Sequence, residues 1–326
     1  MLGFKKSKER VNIIFKDHVI RYIECETPDF SGVVDYGERY LESGIIEEGK
    51  VIDQRALNAV IAELAEEKEW RKKKVYFSVP DASVIIKPFH IPNDLKTADE
   101  VKGYLYMQLG ESLHLPFEEP VFDYVVLEEK VNMNEVLLFA YPETRIRDFE
   151  LALLEANTKP AVADLTFLSL YRLYYDLDYA RPEDHLLTLQ WNMDGVVITV
   201  FHDDHPHFTR YMKSGLDESL WEVPHTDDDA VRWTGNEKEL DAYIDEQMRE
   251  VERIMNFYRY SVTNGESAVT NLLISGDFPW LEDVYKKCHI HFNLDVRMIE
   301  PGEYSAERDE DIPFRYAESV GLALKP

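Results

Sequence analysis

A chain of 326 residues with 45% hydrophobic side chains is long enough for about two domains and apolar enough to fill their cores. Its formal charge of −27 at pH 7 excludes loose binding to nucleic acid, which depends on Lys and Arg neutralising phosphates. Its two cysteines, Cys25 and Cys288, lie far apart without CxxC spacing, which speaks against a disulfide framework or a thiolate zinc site and fits a reducing compartment.

The start, "MLGFKKSKERVNII", carries Lys5, Lys6, Lys8 and Arg10 but has neither the apolar stretch nor the cleavage site of a secretory signal. Residues 1–10 read as a basic tail whose Leu2 and Phe4 would touch an anionic membrane only weakly. No later segment reaches the roughly 20 apolar residues of a spanning helix, so the chain is expected in the cytosol.

Val11 to Glu24 predicts strand, turn and strand about Lys16-Asp17-His18. "DQRALNAVIAELAEEKEW" predicts a helix with Leu57, Val60, Ile61 and Leu64 on one face and Asp53 as N-cap. "VYFSVPDASVIIKPFHIP" predicts two strands about Pro80-Asp81-Ala82-Ser83, and "TADEVKGYLYMQLGESLHL" a helix opened by the capping box Thr97/Glu100. Strands at Val121–Leu127 and Glu135–Tyr141 precede a helix, "ETRIRDFELALLEAN", so the order ββαββα marks 75–157 as an inserted α+β unit.

The helix "DLTFLSLYRLYYDL" leads to a second hairpin, Leu186 to Phe201, turning at Asn192-Met193-Asp194-Gly195, with "HFTRYMKSG" as a third strand. Both halves therefore open alike, a weak internal repeat. The longest helix, "EKELDAYIDEQMREVERIMNFYRY", aligns Leu240, Ile244, Met248, Val251, Met255 and Tyr258, and the strand "VTNLLISG" then passes into "DFPWLEDVYKK".

Several of these segments, in this order, resemble the PilM family of type IV pilus assembly proteins, in the FtsA-like branch of the actin-fold ATPases. They are "SGIIEEGKVIDQRALNAVIAEL", "VYFSVPDASVIIKPFHIP", "LHLPFEEPVFDYVVLEE", "REVERIMNFYRY", "NLLISGDFPWLEDV" and the terminal "SVGLALKP". The resemblance implies an α/β, actin-like two-lobed fold with a small inserted α+β subdomain. Residues 11–74 and 158–185 would form the first half, 75–157 the insert, and 186–326 the second half, with a helical subdomain at about 216–265. It also implies a partner: the cytoplasmic N-terminal peptide of a PilN-like single-span membrane protein, held in a groove beside the insert. "SVIIKPFHIP" offers Val84, Ile86 and Phe89 for its floor, residues that serve equally well as ordinary core.

An actin-fold ATPase holds nucleotide with two Asp-x-Gly hairpin turns, where glycine admits backbone N–H groups to phosphate and aspartate organises Mg²⁺. On the register that puts Arg21 at the family's lysine, Ile14 takes the first aspartate position and Lys16 the glycine. The second aspartate falls on Gln190, or on Asn192 after a shift of two, with Asp194 able to substitute only by rearrangement and Gly195 serving the hairpin. Ser275 and Gly276 are retained, Asp277 replaces a further glycine, and Glu250 and Arg253 match positions near the purine, although an exposed helix face explains them as well. The cleft is thus vestigial, built from Lys16, Asn192, Asp194, Glu250, Arg253, Ser275 and Gly276. No cofactor is expected, and no G-x-x-x-x-G-K-[ST] replaces the lost turns.

In "HDDHPH", His205 and His207 share a strand side but sit at a turn-rich hairpin tip, and His289-x-His291 is remote, so no metal is expected. No hydrolytic triad stands out, and "HTDDDAVRW" and "ERDEDIP" read as solvated acidic loops. The leading expectation is a non-catalytic cytoplasmic scaffold of a type IV pilus or related secretion or competence assembly. It would sit at the inner face of the cytoplasmic membrane through its PilN-like partner, with other pilus proteins or self-association as further contacts. The alternative is a divergent actin-like ATPase, using ATP and Mg²⁺ to drive assembly or polymerisation, and a third reading is a purely polymerising cytoskeletal protein.

Overall fold

The first predicted hairpin forms: β1 (Arg10–Phe15) and β2 (Val19–Cys25) are antiparallel, with the Lys16 N–H donating to Val19 O at 3.0 Å. Every residue of both strands is buried, which is why the run is nearly continuously apolar. Their polar members are partnered. Arg10 donates to Ala323 O at 2.6 Å, Asn12 to Ile23 O at 3.1 Å, and Glu24 accepts from Trp70 Nε1 at 2.6 Å.

The structure, a computed structural model, describes residues 9–129, 132–223, 231–304 and 311–326. It divides into two compact units, Met1–Ala82 with Phe149–Pro326, and Ser83–Asp148. The tail residues Leu2, Phe4, Lys5, Lys6 and Lys8 and most of both acidic loops lie outside the described residues.

After β2 come β3 (Val33–Tyr40), the short β4 (Ile46–Glu47) and β5 (Lys50–Val51), and α1 (Gln54–Glu67), where Asp53 accepts from the N–H groups of Arg55 and Ala56. β6 (Lys74–Val79) ends just before the second unit. That unit holds β7 (Ile85–Pro92), α2 (Ala98–Gln108) with its Thr97/Glu100 capping box, β8 (Pro120–Glu128) and β9 (Met133–Pro142). α3 (Glu143–Glu155) leads back into β10 (Lys159–Leu165) and α4 (Thr166–Asp176).

The second hairpin is β11 (His185–Trp191) with β12 (Gly195–His202), followed by β13 (His205–Lys213), β14 (Trp221–Glu222) and β15 (Arg232–Trp233). α5 (Glu237–Phe257) runs into a π-helical turn at Tyr258–Val262. β16 (Asn271–Ser275), α6 (Leu281–His291), β17 (Asp295–Met298), α7 (Pro301–Tyr304) and α8 (Ala317–Ala323) complete the chain.

Two five-stranded sheets in the larger unit share one topology. Read from the edge, they run β3-β2-β1-β6-β10 and β13-β12-β11-β16-β17. In each, the first three strands form an antiparallel meander and the last two add in parallel. The weak repeat in the sequence is therefore a duplicated sheet. The smaller unit has one sheet, β7-β9-β8, whose inner face packs Phe122, Val136, Leu138 and Ala140 against Val101 and Leu105 of α2.

Three expected boundaries move. The elements of 75–157 occur in the order ββαββα, but the compact insert is Ser83–Asp148, because β6 pairs with β1 and β10 rather than with β7. Residues 216–265 are not a separate body: Leu240, Ile244, Met248 and Val251 of α5 share one core with Leu187 and Leu189 of β11. The chain end does not stay with the second sheet either, since α8 packs on α4 and β1, where Leu322 meets Ile14 and Tyr76.

A Cβ on Gly321 of α8 would lie 1.8 Å from Ser169 O of α4. Alanine gains up to about 1 kcal/mol of helix propensity over glycine, whereas a clash in a packed core costs about 1–3 kcal/mol. Gly321→Ala should therefore lower the urea midpoint, while Gly302→Ala in α7, where a Cβ meets nothing within 4 Å, leaves it unchanged or raises it.

Candidate functional site

The two hairpin turns of the duplicated sheets face each other, and Lys16 joins them. Its Nζ donates to Asn192 Oδ1 at 2.7 Å and pairs with Glu318 Oε2 of α8 at 2.8 Å, with Lys16 and Glu318 both buried. Burial works against the ammonium charge, but Glu318, Asp277 and Asp194 outweigh it, so its pKa stands above the usual lysine value.

Glu318 carries the network onward. Gln190 Nε2 donates to Glu318 Oε1 at 2.6 Å and to Thr166 Oγ1 at 2.8 Å. The Thr166 N–H donates to Asp81 Oδ1 at 3.0 Å, and the Thr166 hydroxyl to Asp81 Oδ2. Burial pushes the Asp81 carboxyl up to about 7, against the hydrogen bonds from Thr166 that favour its ionised form.

A second network centres on Asp277. Its Oδ2 lies 2.6 Å from Arg21 Nη1 and 2.9 Å from His18 Nε2, and its Oδ1 accepts from the Met193 N–H at 3.1 Å. Burial would raise this carboxyl, yet His18, Arg21 and Lys16 hold it well below the usual range. Arg21 also donates to Glu38 at 2.9 Å. The charge of Asp277, which stands where the resembled family has a further glycine, is thus matched inside the fold by the guanidinium of Arg21 from β2.

Asp17 and Asp194 approach each other across the turns, the Asp17 N–H lying 3.4 Å from Asp194 Oδ2. Asp17 accepts from the N–H groups of Glu48 at 2.6 Å and Gly49 at 2.9 Å, but burial first and Asp194 second raise its carboxyl to about 7. Burial raises Asp194 as well. The cavity between these turns measures about 30 Å³, enough for one or two waters. A neighbouring cavity of about 170 Å³, lined by His18, Leu41, Ile46, Met193 and Trp221, is smaller than the ~300–1,000 Å³ usual for a small-molecule site.

Of the expected cleft residues, Lys16, Asn192 and Asp194 come together, while Gly276 packs on the backbone of Trp191, where a Cβ would meet Trp191 O at 2.0 Å. Ser275 is buried in β16 opposite Gln190. Ile14 is buried with Tyr76 and Leu322, a wholly apolar place. Glu250 and Arg253 pair with each other on the surface of α5, so their charges are those of a solvated helix face.

Phe89 departs from the expected partner floor: with Ile85 and Ile91 it packs into the core beneath α2. Strand alternation turns Ile86 to the opposite face, across from Phe139 of β9, and Val84 just precedes the strand. His205 bonds to Asp203 O at the hairpin tip, and His207 lies 5.7 Å from His202, which stacks on His185 at 3.9 Å. Among the described residues no His, Cys, Asp and Glu group could hold a metal ion. Sequence reasoning missed Glu318, Thr166 and Asp81; the only signal for Glu318 was a lone acid inside the apolar run "AESVGLAL".

Residues 17–216 match the family described as Type IV pilus assembly protein PilM. The structure is similar to one titled PilM-PilN type IV pilus biogenesis complex, with TM-score 0.75 and 18% identity over 98% of this chain and 99% of that one. It is also similar to the ethanolamine utilization protein EutJ from Carboxydothermus hydrogenoformans, at TM-score 0.51 and 9% identity, covering 97% and 89% of the two chains. MreB 5 of Spiroplasma citri bound to AMPPNP gives TM-score 0.50 and 7% identity, covering 97% and 95%. No curated protein sequence matches. The fold is actin-like, and among the described residues no helix is long and apolar enough to cross a membrane.

The network makes two demands on stability. Lys16→Met leaves Glu318 buried without its cation and should cost about 3–5 kcal/mol in urea unfolding, of which adding Glu318→Gln recovers part. Equal costs for the single and double variants would show that the pair is not coupled.

Asp81 has a raised folded-state pKa, so the native chain binds its proton more tightly than the unfolded chain does between about pH 4 and 7. Its contribution is fully present below the unfolded pKa and is lost as pH rises through about 7. Asp81→Asn should flatten the fall in thermal midpoint between pH 5 and 8; an unchanged slope would contradict the assignment.

Proposed function

Because the chain belongs to the PilM family of type IV pilus assembly proteins, we propose that it is a non-catalytic scaffold of a type IV pilus or related secretion assembly. The supporting observation is the Lys16–Asn192–Glu318 network, which puts the chain's own ammonium between the two turns that grip phosphate in an actin-fold ATPase. A nucleotide would have to displace a buried ion pair to reach the turn amides. It would also find Gln190 and Asn192 engaged as neutral hydrogen-bonding groups where Mg²⁺ needs carboxylates. Lys16, Asn192, Asp194, Ser275 and Gly276 form a vestigial cleft on this reading. These residues do not fit Mg-ATP, and no catalytic step is assigned to them.

Its task is then binding. The partner we propose is a PilN-like membrane protein, whose cytoplasmic N-terminal peptide would bring this chain to the inner face of the cytoplasmic membrane. Val84 and Ile86, which lie away from the α2-covered core, are the contacts assigned to that peptide; Phe89 belongs to the core.

Calorimetry separates this reading from an active ATPase. The chain should give little heat with millimolar Mg-ATP, and micromolar binding to a PilN-like N-terminal peptide that Ile86→Lys weakens about tenfold, or 1.4 kcal/mol. Submicromolar ATP affinity, or phosphate release abolished by Asp194→Asn, would replace the scaffold with a rearranged ATPase.

A further inference from the structure

Edge strands invite pairing by another chain, and most of the long edges here are blunted. β7 carries Pro88 and Pro92, β10 carries Pro160, and β13 carries Pro206, each of which removes a backbone donor. β3 bears Asp35, Glu38 and Arg39, and β17 is only 4 residues long.

β8 differs. It has 9 residues with proline only at its first position, it pairs on one side with β9, and among the described residues no strand pairs with its other side. Val125, Val126 and Leu127 are 43%, 41% and 38% exposed, an unusual run of three apolar side chains in water. The register slips between Val126 and Glu128, leaving Leu127 unmatched across the ladder. Tyr106 of α2, a further exposed large apolar residue of this unit, lies against the same strand, donating to Pro120 O at 2.8 Å.

The outward donors can be identified. The Tyr124 N–H donates to Asp123 Oδ1 at 2.9 Å instead of to β9, so it faces the free side. Alternation gives the Val126 N–H the same direction. Charge then selects the occupant: Glu118, Glu119, Asp123 and Glu129 are exposed, and no Lys or Arg occurs from 115 to 129.

We propose that the free edge of β8 docks an extended basic segment of another protein, which adds to the β7-β9-β8 sheet as a fourth strand. Backbone bonds at Tyr124 and Val126 hold its register, Val125 and Leu127 meet its apolar side chains, and the flanking carboxylates meet its Lys or Arg. A second copy of this chain is disfavoured, because β8 against β8 would set those acids side by side in molecules already carrying −27. The inference is independent of the scaffold reading, since it concerns neither the cleft nor Val84 and Ile86.

The probe is a blocked, labelled nonapeptide alternating valine with lysine or threonine, added to the full chain. Binding should slow amide exchange in 120–128 by about tenfold or more and weaken with salt. Val126→Pro, which removes an edge donor without touching the β9 ladder, should weaken it about tenfold. If that variant unfolds, Val125→Lys with Leu127→Lys tests the same edge with the backbone intact and should weaken binding equally. Exchange slowed elsewhere, or full binding by an edge variant that stays folded, would overturn the proposal. A dimer of the chain alone that Val126→Pro dissolves would overturn it too, with the second copy as occupant.

Discussion

One buried ammonium holds the larger unit together. Lys16 leaves the first sheet at its hairpin turn, and its two partners come from places remote in sequence: Asn192 from the second sheet's turn, 176 residues away, and Glu318 from α8. Taking Lys16 and Glu318 out of water costs several kcal/mol each, and the pair is tolerable only when further hydrogen bonds support it. That condition explains the polar residues around it. Gln190 satisfies the other oxygen of Glu318, Thr166 connects Gln190 to Asp81, and the Asp277 N–H shares the Asn192 carbonyl oxygen with Lys16 at 3.3 Å.

The same logic governs Asp277. The carboxylate is held by Arg21, His18 and the Met193 N–H, which fix its position between β2 and the second turn. Arg21 is in turn shared with Glu38, which also accepts from Arg315 at 3.1 Å. The two networks thus reach from β3 through both turns to the final helix. A low local dielectric strengthens such bonds when they are complete and penalises any that is broken.

Local sequence signals located the elements whose own periodicity defines them. The hairpins at 11–24 and 186–201, α1 with its Asp53 cap and α2 with its capping box were all legible. β3 and β10 were not, because "VVDYGERY" mixes charge and glycine into an edge and "KPAVADL" contains a proline; both exist through pairing with distant strands. The site divides in the same way. Lys16, Asn192 and Asp194 were visible as turn residues, whereas Glu318 becomes a partner only when α8 folds back onto α4 and β1. Phe89 shows the converse error: grouping it with Val84 and Ile86 ignored the two-residue period that places it on the other face of β7.

A ligand can shift a conformational equilibrium only by its difference in affinity between two states. In an actin-fold enzyme the phosphates supply that difference, joining two hairpin turns when they are bound and releasing them when they leave. Lys16 makes the corresponding connection covalently tethered to one turn, so its effective concentration is fixed and no solute varies it. Under the proposed reading, replacing glycine by lysine therefore does more than block a site. It converts a ligand-dependent contact into a permanent one and leaves a duplicated actin-like framework held in one arrangement. A surface that must present the same contacts to a partner at all times benefits from such rigidity, since binding then spends little on ordering.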